Sequence, residues 1–338
     1  MGRLILGLAL WLAGSIAAQA ECVGRDLFDD LPPDTRAQIE AEAARVPYGY
    51  GTTWEATKGE ARLLLVGTYH FTDSRHAGTI ARLAPRIAAA GALLVEAGPE
   101  EEAQLKQRLA DDPTLMVDPS GPTLPERLDN EEWAALSGAM AERGIPAVFA
   151  SRLRPWYVAV TLGVSPCILG QLQAGGADGA GMDHLLIAEA EGAGVRIAAL
   201  EPYDTVFALF EDMTPGEELD MIRSALTAAE RADDFTTTTA EAFFDGRVWE
   251  LWEFSRHDAY ANSGLARAEV DRQAELAQER LMDQRNRSWI APLTEAAEAA
   301  ALGGKEAVAA FGALHLPGEN GVLRLLERNG WTIERVTP

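Results

Sequence analysis

The chain of 338 residues is 47% hydrophobic, and its 52 acidic against 29 basic side chains give a formal charge of -23. There is ample material for a core. The charge argues against a nucleic-acid partner, since displacing counterions from phosphates takes clustered Lys and Arg, and equally against docking on anionic lipid.

The first twenty residues read as a secretory signal peptide. Arg3 precedes the apolar residues 4–13, and Ala18-Gln19-Ala20 offers small residues for cleavage after Ala20. The stretch is too short to be a stable membrane anchor, and no other segment is long enough to span a bilayer. Glu21 stands where lipoprotein processing before Cys22 wants a small residue. The expectation is a soluble periplasmic or secreted protein. In that compartment Cys22 and Cys167, the two cysteines of the chain, predict a disulfide; the alternative is two separately buried thiols.

Residues 21–338 fit one large α/β domain. Apolar runs at 63–66, 92–95, 147–150, 195–200 and 308–311 read as buried strands, and the more alternating 331–336 as an edge strand. Helical periodicity marks 77–90, 131–143, 181–191 and 217–232. Such alternation implies a mainly parallel sheet covered on both faces. Residues 203–301 are nearly strand-free, rich in Ala and Glu, and end in a long helical pattern at 265–287. They read as a helical insertion beside the sheet. The glycine-rich residues 174–181 read as a loop that lacks the Lys and Ser/Thr of a P-loop.

Two motifs stand out. Arg62-Leu-Leu-Leu-Val-Gly67-Thr-Tyr-His70 and Ala307-Val-Ala-Ala-Phe-Gly312-Ala-Leu-His315 each bring an uncharged apolar run to a Gly, with a His three positions later. A ligand site in an open α/β sheet lies beyond the carboxyl ends of the strands, so two of the chain's five histidines point to one shared site. Two further strands end in an acid, at Glu96 and Glu201. A carboxylate there is costly unless paired, metal-bound or exposed. Strand–Gly–His, strand–Glu, strand–Glu, strand–Gly–His form an internal symmetry suggestive of two facing halves. Imidazoles and carboxylates together suit Zn, Mn, Co or Fe.

The remaining candidates have ordinary readings beside the functional ones. His76 is a possible third site histidine or, as the preferred reading, a solvent-exposed helix start. Asp183 caps a helix or reaches the site, while His184 reads as packing and His257 as solvated. Trp249, Trp252 and Trp289 read as helix packing before a substrate wall. No nucleophile elbow and no dinucleotide fingerprint is present.

From about residue 63 to the end, the chain resembles the TraB/GumN family, related to the Tiki proteases. The resemblance is carried by Gly67-Thr-Tyr-His70, Val95-Glu96, Arg154-Pro-Trp156, Gly181-Met-Asp183, Leu200-Glu201, Phe244-Asp-Gly246 before Trp249, Arg285-Asn286 before Trp289, and Gly312-Ala-Leu-His315-Leu-Pro-Gly318 with Gly321. It implies a central sheet from two pseudo-repeats, of the erythromycin-esterase and Tiki type. It also implies a site built on His70, Glu96 and His315, with Glu201, Asp183, Arg285 and Asn286 nearby. His76 in the first loop and Pro317 after the second histidine depart from the family pattern.

The leading expectation is an exported metal-dependent hydrolase of peptides or proteins. His70, Glu96 and His315 would hold one divalent ion, with Glu201 as general base, Arg285 at the oxyanion and Asn286 orienting substrate or a ligand. A non-catalytic protein using the cleft for haem, iron or a peptide is the second reading. The third is a metal-free hydrolase with His70 as base. Metal identity, substrate and oligomeric state are not legible from the sequence.

Overall fold

The computed structural model describes Cys22, residues 24–174 and residues 181–336. The expected leader at 1–20 and most of the glycine loop at 174–181 lie outside the described residues. Six strands form one sheet: β1 (Thr53–Lys58), β2 (Ala61–Thr68), β3 (Ala92–Val95), β4 (Ile197–Ala199), β5 (Ala307–Gly312) and β6 (Thr332–Arg335). Their order is β4-β3-β5-β2-β1-β6. β4, β3, β5 and β2 run parallel, while β1 is antiparallel to both β2 and β6.

Alternation along the strands divides the core in two, because successive side chains point to opposite faces. Leu63, Leu65, Leu94, Ala309 and Phe311 pack against Trp289, Leu293 and Ala297 of the helix Gln284–Ala301, and against Leu323 and Leu326 of Val322–Arg328. Leu64, Val66, Leu93, Val95 and Val308 pack on the other face. There they meet Ile80, Leu83 and Ile87 of the helix His76–Ala89, and Leu186 and Ile187 of Met182–Gly192. Each large aliphatic side chain removed from water contributes roughly 1.5–3 kcal/mol, so the sheet and its two helical layers carry most of the apolar stabilisation.

Three features differ from the sequence reading. β1 is an additional strand; it turns only Trp54 and Ala56 inward, too few apolar residues to stand out. Residues 147–150 form a short helix, not a strand. Pro146 precedes them, its carbonyl accepts from the N–H groups of Phe149 and Ala150, and Val148 and Phe149 remain 72% and 67% exposed. Only Ala150 turns inward, joining a separate helical core with Leu136, Met140, Val158 and Ile222. The periodic stretch at 265–287 is two helices, Arg267–Gln278 and Gln284–Ala301, joined by a π-helical turn at Glu279–Asp283.

Residues 203–301 hold helices and no strand among the described residues, but they do not form one appendage. Pro215–Ala229 packs into the separate helical core, Phe243 reaches one sheet face, and Gln284–Ala301 covers the other. Cys22 and Cys167 form a disulfide across a sequence separation of 145. Among the described residues, no single helix is long and apolar enough to cross a membrane.

Candidate active site at the carboxyl edge of the sheet

The parallel register brings four strand ends to one level. Thr68 pairs with Gly312, and Val95 pairs with both Ala310 and Ala199. The chain leaves β2 towards His70, β3 directly into Glu96, and β5 into a short turn ending at His315. Beyond β4, the Leu200 N–H donates to the Val95 carbonyl at 2.8 Å, which holds Glu201 beside Glu96.

Each histidine is fixed through its Nδ1. His70 Nδ1 lies 2.7 Å from Asp183 Oδ2, and Thr68 Oγ1 donates to the other oxygen of that carboxylate at 2.6 Å. His315 Nδ1 lies 2.6 Å from Asn286 Oδ1, and Asn286 Nδ2 donates to the Asn320 carbonyl at 3.0 Å. The second bond fixes the amide so that its oxygen faces the ring, and His315 Nδ1 therefore carries the proton. Asn320 is in turn tied to Asp283 Oδ2 at 2.8 Å.

The opposite ring edges face a shared space at Gly312. A Cβ on Gly312 would stand 3.1 Å from His70 Nε2, 3.2 Å from Glu96 Oε1 and 3.6 Å from His315 Cδ2. Only a residue without a side chain leaves that cradle open. Gly181 is similarly constrained, because a Cβ there would come within 2.0 Å of the His70 carbonyl oxygen.

Arg285 fills the acidic side. Its Nη2 reaches Glu96 Oε2 at 2.6 Å and Glu201 Oε1 at 2.5 Å, and its Nε reaches Glu201 Oε2 at 2.9 Å. Nη1 donates to the Leu281 carbonyl at 3.0 Å and stands 3.2 Å from His315 Nε2. The other oxygen of Glu96 accepts the Gly312 N–H at 2.6 Å. Trp289 packs against His315 with ring centroids 4.4 Å apart and planes inclined by 42°, and directs its N–H to Glu201 at 3.3 Å.

These surroundings drive the two imidazoles apart. Burial opposes a charge on His70, but the bond to Asp183 and the charges of Asp183 and Glu96 outweigh it and raise its pKa to about 9. The side chain keeps 57% of its surface open to solvent, which screens part of that effect. Burial holds His315 down at about 4, with Arg285 and His70 adding to the effect against Glu96. Burial raises the Glu96 carboxyl, yet the neighbouring imidazoles, Arg285 and the Gly312 N–H bring it below the usual range. The Asp183 carboxyl is likewise raised by burial but lowered further by His70 and Thr68. One ring is thus charged and the other neutral at neutral pH.

His70, Glu96, Asp183, Glu201, Arg285, Asn286 and His315 therefore meet in one cleft. His76 does not join them, and it is not a solvated helix start. It is buried, bonded to the Phe71 carbonyl and packed by Tyr69, Phe243 and Phe244. His184 is exposed and paired with Glu102, whereas His257 is buried against Glu42; both reverse the sequence reading. Trp249 and Trp252 pair within the helix Val248–Asn262, while Trp289 belongs to the cleft. Thr68, Asp283 and Asn320 were not singled out by the sequence reading, although Thr68 lies inside the first Gly–His motif. Among the described residues, no three His, Cys, Asp or Glu side chains are arranged to enclose a metal ion, and the Arg285 guanidinium is the cation that contacts the carboxylates.

No curated protein sequence matches the chain. The sequence profile of the TraB/PrgY/gumN family matches residues 52–335, a span that contains all six strands.

Proposed function

The chain therefore belongs to the TraB/PrgY/gumN family, and from that membership and the cleft's geometry we propose a hydrolase of peptide bonds, with one divalent ion held by His70, Glu96 and His315. The observation that carries this reading is the convergence of two imidazoles and a carboxylate on the cradle at Gly312. The donor chemistry suits such an ion. Each ring is held at Nδ1 by an oxygen acceptor, the support given to metal-ligating histidines by the residues behind them. When bound, the ion supplies Lewis acidity to a carbonyl and to a water molecule.

The chain's own residues do the rest. Asp183 and Asn286 hold the ring orientations. Arg285 turns from the carboxylates to the developing oxyanion. That movement releases an oxygen of Glu201 to take a proton as general base. The Cys22–Cys167 bridge supports work in an oxidising space outside the cytoplasm.

Elemental analysis of protein purified without chelator, wild type beside His70→Ala, tests the reading. Near-stoichiometric Zn, Mn, Co or Fe in the wild type and its loss in the variant are expected. Absence from both, with no uptake when the ions are supplied, overturns the metal assignment.

One observation favours a second reading, metal-free acid–base hydrolysis. Arg285 already pairs with both Glu96 and Glu201, and the two imidazoles differ in charge at neutral pH, one protonated and one neutral. Here His315 is the base and His70 the acid, the reverse of the sequence expectation for His70. Activity insensitive to chelators distinguishes it.

A further inference from the structure

A groove of about 280 Å3 opens between the helices Pro215–Ala229 and Arg267–Gln278. None of His70, Glu96, Glu201, Arg285 or His315 lines it, yet it adjoins their cleft through Leu281. Leu281 forms part of the groove wall, and its carbonyl accepts from Arg285 Nη1 at 3.0 Å. The opposite wall includes Phe210, in the segment that follows Glu201 out of β4. Both walls are therefore continuous with residues of the cleft.

The π-helical turn Glu279–Asp283 makes the junction. Its Leu281 lines the groove, while its Asp283 holds Asn320, whose carbonyl fixes Asn286 behind His315. A π-turn inside a helical run commonly marks a functional site.

The groove is built and unfilled. Phe210 is held by stacking on Trp156, with centroids 5.6 Å apart and planes inclined by 21°, which places the Arg154-Pro-Trp156 motif beside it. Ser224 Oγ donates to Gln273 Oε1 at 3.4 Å and ties the two helices together. Met213 and Met221 line one wall, and Leu276 and Leu281 the other, the leucines 37% and 39% exposed. One exposed Leu is ordinary; two on one wall, opposite two methionines, form an apolar surface that calls for an occupant. Thioethers adapt to the shape they meet.

Size and charge define that occupant. The volume lies just below the range of about 300–1,000 Å3 for sites that hold a whole small molecule, and leaves room for a single large side chain. Glu217 and Asp220 on one rim face Arg272 and Arg280 on the other. Two charges of each sign select neither a cation nor an anion.

We propose that the groove is the side-chain subsite of the cleft, taking a Leu, Met or Phe side chain of a peptide whose backbone lies across the Gly312 cradle. The proposal rests on the reading of the cleft as a peptide site, and it adds the class of peptide, one with a bulky apolar residue beside the bond presented to His70 and His315.

Titration of the intact, disulfide-bonded chain, carrying 13C-methyl methionine, with acetyl-Gly-Gly-X-Gly-Gly-amide peptides tests it, X being Leu, Phe, Ala, Glu or Lys. The Leu and Phe peptides should shift the Met213 and Met221 methyl signals saturably, at least about tenfold tighter than the other three. Cleavage, as kcat/KM, should rank the peptides in the same order. Leu276→Lys, a change at a partly exposed position outside the cleft, should lose that preference and favour the Glu peptide. If Leu276→Lys does not fold, the methyl shifts of the wild type still decide. Selective shifts without cleavage support the groove and overturn hydrolysis. Methyl signals unmoved by every peptide overturn the groove, and cleavage blind to X in that case leaves hydrolysis standing. Shifts equal for every X also overturn the groove. So do signals that move only with protein concentration, which would make this face a contact between two copies of the chain.

Discussion

Asn286 Oδ1 stands 2.6 Å from His315 Nδ1, and the same amide donates to the Asn320 carbonyl. The amide cannot rotate without losing both bonds, so Asn286 sets which ring nitrogen of His315 faces the cleft. Asn286→Ala leaves a buried N–H without an acceptor, and a loss of about 1–3 kcal/mol is expected on chemical unfolding. The 15N spectrum should show a mixture of His315 tautomers where the wild type shows one.

Asp183→Asn removes the carboxylate that raises His70. NMR titration of the metal-free protein should place His70 near 9 in the wild type and lower in the variant. The ordinary value is 6.5, so the ion pair contributes its stability fully below pH 6.5 and loses it as pH rises through 9. His315 acts in the opposite direction. Its folded value of about 4 means that, below pH 6.5, the unfolded chain takes up a proton the folded chain refuses, and stability falls with pH. Thermal unfolding between about pH 5 and 10, a window that brackets the step of His70 from 6.5 to about 9, should therefore show the Asp183→Asn difference shrinking at the alkaline end.

Arg285→Met leaves Glu96 and Glu201 facing each other without a cation. Breaking a largely buried ion pair from one side costs about 3–5 kcal/mol, which urea unfolding should register. Glu201→Gln in the same background should recover part of the loss. A purely steric role for Arg285 predicts no such recovery.

Gly312→Ala inserts a methyl group 3.1 Å from His70 Nε2 and 3.2 Å from Glu96 Oε1. A stability loss of about 1–3 kcal/mol is expected from the overpacking. Metal content or hydrolysis should fall far more steeply, because the added group fills the cradle itself.

Cys22→Ser with Cys167→Ser opens a crosslink spanning 145 residues. A loss of about 2–5 kcal/mol is expected. Reduction of the wild type should reproduce it on the same unfolding assay.

The strands that shape the site were legible because their apolar runs are long and uncharged. Residues 63–66 and 308–311 lie within β2 and β5, and 92–95 coincide with β3. β1 was hidden because it is held by pairing to β2 and β6 and carries little apolar sequence of its own. Residues 147–150 misled for the opposite reason: the run is apolar, but Pro146 starts a helix and no neighbouring strand is there to pair it. The two Gly–His motifs and the strand-end acids located the cleft. Sequence patterning did not show that a single guanidinium would join Glu96, Glu201 and His315, because that depends on how a helix distant in sequence is rotated. The environments of His76, His184 and His257 were inverted for the same reason, each being decided by side chains from other helices.

The strand order leaves the cleft with one firm wall and one yielding wall. His315 follows β5, which has strands on both sides, and His70 follows β2, likewise flanked on both sides. Glu201 follows β4, three residues long, at the margin of the sheet with β3 as its single neighbour. Local opening begins where backbone pairing is least. A bulky chain entering the cleft would therefore meet least resistance by displacing the Glu201 side, while the histidines keep their spacing.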